Sequence, residues 1–140
     1  MSNPARSFRT YALTKTAVTD EIGTRLYPNR LPKNPTLPCA VYNVISHNPE
    51  HHLTGAAPLT KTRIQIDFFA ATRSAVDNAA DGLRDAADGY MGTAGSEYLQ
   101  TCHLETQRDE HDDPIDASDA PVFRVSQDWI VAVTETIPNL

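Results

Sequence analysis

The sequence predicts an α+β fold: an antiparallel β-sheet of about four strands, a long helix packed on one face, and a short N-terminal helix. Two observations carry most of this. The stretches 60–69 and 122–135 alternate apolar and polar residues, the period-two signature of half-buried strands. The stretch 74–91 instead repeats its apolar residues at spacings of three and four, which marks an amphipathic helix. The order is helix, two strands, helix, two strands, so each strand pair can close as a hairpin and the long helix can cover one face. Residues 1–140 read as a single domain, since a chain of 140 residues supports one real core.

Residues 1 to about 6 and 136–140 are expected to be loose. From Ser7, residues Phe8, Tyr11 and Ala12 share one helical stripe, although Thr10, Thr14 and Thr16 weaken it. A short second turn, Ala17 to Ile22, stops at Gly23, a natural helix terminator. Pro28, Pro32, Pro35 and Pro38 then exclude helix and central strand, leaving an extended crossing.

The first strand of the opening hairpin runs from Leu37 to Ser46 and is dense in Val, Ile, Tyr and Cys. The second, Thr60 to Phe69, puts Ile64, Ile66 and Phe68 on one face and Arg63, Gln65 and Asp67 on the other. The connector between them, Asn48 to Leu59, is too long for a tight turn, and connectors of that length are usually functional or mobile. In the long helix, Ser74 and Asp77 resemble a capping box. Gly82 interrupts it at a cost of about 1 kcal/mol against Ala. A third strand spans Tyr98 to Gln107, with Tyr98, Cys102 and Leu104 on one face. Asp109 to Ala120 reads as an acidic loop. In the fourth strand Phe123, Val125, Trp129, Val131 and Val133 alternate with Arg124, Ser126 and Asp128.

The formal net charge is −6, which argues against nucleic acid as the main partner. Cys39 and Cys102 are too few for a disulfide scaffold and read as buried free thiols, unless their strands prove to be neighbours. The first residues lack a signal-peptide pattern, and no apolar run reaches membrane-spanning length, so the expectation is a protein made in a cytoplasm.

No catalytic motif stands out. His47, His51 and His52 with Glu50 form the one cluster that could hold zinc in a metal-dependent enzyme. Adjacent histidines in a loop without cysteines lack the usual ligand spacing, and a solvated loop is the stronger reading. The run after Asp109, including Asp112 and Asp113, lacks the central Gly and terminal Glu of an EF-hand, so a solvated or partner-facing loop is preferred to calcium. No nucleophile elbow, P-loop or dinucleotide fingerprint occurs. Asp67 is expected to pair with Arg63 or Arg124 across the sheet, and Arg25 and Tyr27 to serve packing before the Pro28 turn.

Several short motifs, taken in order, carry a resemblance. They are Arg25-Leu26-Tyr27-Pro28, then Leu37-Pro38 leading into Val41-Tyr42 and Ile45-Ser46. Leu53-Thr54-Gly55 and Leu59 follow, then Arg63, Gln65, Asp67 and Phe68, and finally Arg124, Ser126 and Asp128 before Trp129-Ile130-Val131. Together they resemble the tail-completion or tail-terminator proteins of long-tailed phages, over roughly Phe8 to Glu135. The resemblance implies a structural virion protein without catalytic activity, cofactor or metal. It implies a homo-oligomeric, typically hexameric, ring at the head-proximal end of the tail tube. That ring ends tube polymerisation and offers the surface that joins the head. Implied partners are the tail tube protein, the head–tail connector or stopper and the tape-measure protein, with no membrane and no sequence-specific nucleic acid. The implied location is the virion, with assembly in the host cytoplasm. A head-completion or connector joining protein is the alternative within the same class. The candidate assembly contacts are His47, Asn48, Pro49, Glu50, His51, His52, Leu53, Thr54, Gly55, Asp112 and Asp113. The motif positions are Arg25, Tyr27, Pro28, Pro38, Tyr42, Arg63, Gln65, Asp67, Arg124 and Asp128.

Overall fold

A computed structural model describes residues 3–33, 35–50, 59–95, 97–112 and 122–134. The helices are α1 (Pro4–Ala12), α2 (Thr16–Ile22) and α3 (Arg73–Ala87). The strands are β1 (Leu26–Pro28), β2 (Cys39–Glu50), β3 (Leu59–Ala70), β4 (Gly92–Ala94), β5 (Glu97–Asp112) and β6 (Val122–Thr134). They form one sheet in the order β1-β2-β3-β6-β5-β4. All neighbours are antiparallel except β1 and β2. The sheet therefore has six strands rather than about four. β1 and β4 are three-residue additions, too short to leave a periodic trace.

The first helix starts earlier than its sequence suggests. Asn3 caps it by accepting from Arg6 N at 3.1 Å. The Asn3 N–H donates to Glu97 Oε1 at 2.7 Å, and Ser7 Oγ donates to the same oxygen at 3.1 Å. A carboxylate from β5 thus sits at the helix start, where the dipole favours it. Residues 3–6, expected to be loose, are held by this contact. The short second turn expected over Ala17 to Ile22 is a separate helix, α2, which ends before Gly23.

In α3 the cap is Thr72, whose Oγ1 accepts from Ala75 N at 3.1 Å, in place of the Ser74–Asp77 box. Arg73 takes Asp77 instead, at 3.0 Å, and also binds Asp109 at 2.7 Å. The helix stops at Ala87 rather than Met91. Beyond it Gly89 N donates to Cys102 O at 2.8 Å, and Asp88 Oδ1 accepts from Leu104 N at 3.1 Å, so the chain turns into a contact with β5.

The core lies between the helices and one sheet face. Val76, Ala79, Ala80, Leu83 and Ala87 of α3 and Phe8, Val18 and Ile22 of α1 and α2 meet Ile64, Ile66, Phe68, Val125, Trp129, Val131 and Val133. The Phe8 and Trp129 rings stand 5.3 Å apart, tilted by 45°. Tyr11 stacks on Tyr90 at 3.9 Å and donates from its hydroxyl to Ala86 O at 2.7 Å, pinning α1 to the end of α3. The one large polar side chain deep in this layer, Gln127, is fully employed. Its Nε2 donates to Ala80 O at 3.1 Å and Gln107 Oε1 at 2.8 Å, and its Oε1 accepts from Trp129 Nε1 at 3.0 Å.

Gly82 shows why small residues are needed on α3. A Cβ there would stand 2.2 Å from Ala17 O, because α2 crosses α3 at backbone contact. Read from sequence it is a helix weakness; in the fold it is the contact point of two helices.

Two β-bulges alter the strand faces. In β5, Leu99 and Thr101 face consecutive residues of β6, as do Leu104 and Thr106. The shift turns Leu99 into the core and leaves Tyr98 about half exposed, contrary to its expected place beside Cys102. Cys39 and Cys102 are both buried free thiols. Their strands are separated by β3 and β6, which closes the disulfide alternative.

Candidate assembly surface

All three helices pack on one side, so the other side of the sheet carries the polar motif residues. Arg63, Gln65 and Asp67 of β3 face Ile130, Asp128 and Ser126 of β6, and Arg108 of β5 lies beyond Ser126. Asp67 accepts a short hydrogen bond from Ser126 Oγ and a longer one from Gln65 Nε2 at 3.2 Å. Asp128, rather than Asp67, takes the arginines. Its Oδ2 receives Arg63 Nη2 at 3.0 Å and Arg108 Nη1 at 3.2 Å, both reached diagonally across the ladder. The Asp128 side chain is only 10% exposed. Burial pushes its carboxyl pKa up, but the hydrogen bonds and charges of Arg108 and Arg63 outweigh burial and hold it below the ordinary range. The sequence exposed the alternation that assembles this face. It did not expose Arg108, because the Leu104–Thr106 bulge brings that residue onto the face out of simple alternation.

The other motif residues are structural in their contacts. Arg25 Nε donates to Pro38 O at 2.8 Å, across the cis Leu37–Pro38 bond. This ties the end of α2 to the start of β2. Tyr27 is half-buried and Pro28 exposed on the edge strand β1, while Leu26 between them is buried. Tyr42 packs partly against the core. Arg124 lies on β6 opposite Phe69.

The assembly candidates divide. His47 and Asn48 are exposed residues of β2, and Pro49 and Glu50 complete that strand, so these positions belong to a strand and not to a loop. His47 Nδ1 lies 2.9 Å from Thr62 Oγ1, and Asn48 Nδ2 donates to Ser46 Oγ at 3.3 Å. The connector proper shortens to residues 51–58. His51, His52, Leu53, Thr54, Gly55 and Asp113 lie outside the described residues. The acidic loop shortens likewise, because β5 carries Asp109 and Glu110 through to Asp112. Among the described residues, no group of three or more His, Cys, Asp or Glu could hold a metal ion. No described helix is long and apolar enough to cross a membrane.

The register fixes where the two hairpin connectors emerge. Glu50 pairs with Leu59, and Leu59 with Thr134, at one end of the sheet. Asp112 pairs with Val122, and Phe123 with Ala70, at the other. The paired ends Glu50–Leu59 and Asp112–Val122 therefore lie at opposite ends of the sheet. Sequence did not point to a further feature: large apolar side chains exposed on the two flanks, Val44 and Ile45 on β2, Met91 and Tyr98 beside β4.

The family model described as Tail completion protein gp17 matches residues 9–129. No curated protein matches. Among solved structures, the chain is similar to one from the virion of a native gene transfer agent particle. The TM-score is 0.66 at 11% identity, over 96% of this chain and 100% of that one. At that identity the likeness is one of fold.

Proposed function

From the premise that the chain belongs to the family of tail completion protein gp17, we propose that it is a structural virion protein closing the head-proximal end of a phage-type tail tube. In this reading copies of the chain form a ring, hexameric in the family the sequence resembles. The ring ends tube growth and presents the surface to which the filled head is joined. Its partners are the tail tube protein on one side and the head–tail connector or stopper on the other, with the tape-measure protein in reach. The role needs no catalytic group, cofactor or metal.

The family match carries the reading. The fold supports it in one respect. A subunit between two partners needs two distinct ends, and the sheet sends one hairpin connector to each end. The likeness to a chain of a virion particle agrees with use in an assembly.

Electron microscopy of lysates from a phage with a stop codon in this gene tests the proposal. Overlong or irregular tubes beside unattached full heads are expected. Tails of normal length beside unattached heads would move the assignment to a joining protein. Intact, infectious particles would refute both.

A further inference from the structure

We infer that neighbouring copies in the assembly join edge to edge, the outer edge of β2 in one copy pairing antiparallel with the outer edge of β5 in the next. The inference rests on the ring reading above and names the contact that closes it.

Each margin of the sheet is half covered. On one margin β1 pairs only with Ala40–Tyr42 and leaves residues 43–50 of β2 without a neighbouring strand among the described residues. On the other, β4 pairs only with Glu97–Leu99, and the start of α3's exit segment reaches Cys102 and Leu104. Residues 105–112 of β5 have no neighbouring strand among the described residues. The two open stretches match in length. They lie on opposite margins and at opposite ends of the sheet, since β2 runs toward the 51–58 end and β5 toward the 113–121 end.

This placement suits a head-to-tail contact. β2 and β5 run in opposite directions, so rotation about an axis along the sheet brings them together antiparallel, the contact repeating from copy to copy until the ring closes. To meet, the open stretches must shift along the strands by about six residues, or roughly 20 Å at 3.4 Å per residue. Four strands at about 4.8 Å span roughly 19 Å. The ratio of shift to width tilts the strands by roughly 45° to the ring axis, the upper end of the tilt that closed barrels adopt. β1 and β4 then fill the remaining half of each margin, as stops at the ends of the neighbour's strand. Each open stretch also carries a bulge near its start, Val44/Ser46 in β2 and Leu104/Thr106 in β5, which adds local twist while the strand stays paired with its inner neighbour.

The composition of the β2 edge suits a strand that becomes covered. An exposed strand edge is normally blunted by charge, above all by lysine. Residues 43–48 contain no Lys, Arg, Asp or Glu, and Val44 and Ile45 are 40% and 52% exposed, as suits an edge that becomes covered.

Full-length chains carrying both Ile45→Cys and Glu110→Cys test the contact, treated with a short bis-maleimide after assembly. Both natural cysteines are buried. A ladder of covalent multimers ending at the ring size is expected from the double variant, with at least tenfold less from either single variant. Ile45→Lys, which places a lysine on the edge, should lower the assembled fraction at least tenfold while far-UV circular dichroism stays unchanged. Rings seen by electron microscopy without the ladder would overturn the edge contact and leave the ring standing. Chains that form no ring, alone or in particles, would remove both.

Discussion

Replacing Gly82 by alanine separates helix propensity from helix packing. In a free helix the change stabilises by about 1 kcal/mol. Here the new Cβ would lie 2.2 Å from Ala17 O and 3.2 Å from Ala17 C. Ordinary carbon contacts begin near 3.5 Å, so α2 must retreat by about 1 Å. The obstacle is main chain and cannot rotate aside. A retreat of α2 loosens Val18 and Ile22, which are 2% and 1% exposed. Overpacking of this kind costs typically about 1–3 kcal/mol, and a main-chain obstacle argues for the upper value. Subtracting the propensity gain leaves about 2 kcal/mol of destabilisation. For a chain of this size that lowers Tm by roughly 6 °C. Urea unfolding followed by the fluorescence of Trp129 reads the change directly. A midpoint equal to or above that of the parent would refute the argument, because propensity would then have won over contact. Gly89→Ala is the contrasting case: nothing lies within 4 Å of its Cβ, but its φ is +85°, so the expected loss of about 1 kcal/mol comes from backbone conformation alone.

Gln127→Leu keeps the volume of the layer but leaves Trp129 Nε1 buried without its acceptor, for an expected loss of about 2 kcal/mol; a neutral result in the same urea assay would mean that water replaces the amide. Asp128 has a lowered native pKa, so its contribution is complete above the unfolded value of about 4 and is lost as pH falls through the native value. Asp128→Asn should therefore flatten the acid side of the stability profile, and an unaltered acid limb would contradict that assignment. Cys102 is pushed up to about 12, chiefly by burial and secondarily by Asp88. It should resist maleimide and disulfide reagents at pH 8 until the chain unfolds, and labelling at the rate of a free thiol would show that the core opens there. Replacing residues 51–58 by a short turn should leave the unfolding free energy from urea within about 0.5 kcal/mol of the parent and abolish tail assembly; normal tails would show that the connector is not needed for assembly.

Legibility in the sequence followed burial. The core faces of β3 and β6 were readable because each strand is covered on one side, and alternation records that. The apolar stripe of α3 was readable for the same reason, although its end was placed at Met91 rather than Ala87. The acidic half of β5 was not. Asp109, Glu110 and Asp112 carry no apolar period, and their strand state comes from pairing with β6, a tertiary cause. β1 and β4 are each held by one neighbour over three residues. The cap of α1 by Glu97 lies 94 residues from Asn3, beyond any local pattern. The composition of the polar face is legible in the alternation, but its pairing is not: cross-strand neighbours suggest Asp67 for the arginines, whereas diagonal reach gives them Asp128. For Arg63 the diagonal lies in the unbroken β3–β6 ladder, and for Arg108 it follows the Leu104–Thr106 bulge, which shifts register without leaving a sequence mark.

The strand order also has a mechanical consequence. β3 and β6 are the innermost strands, paired from Leu59–Thr134 to Ala70–Phe123 along all twelve residues of β3. Their hydrogen bonds lie across the strands. A pull directed from the 51–58 end to the 113–121 end loads that ladder in shear, so its bonds share the force and yield together. A pull across the sheet would peel β1 and β4 first, three residues at a time. The domain is therefore stiff along the line joining its two connectors and compliant at its margins.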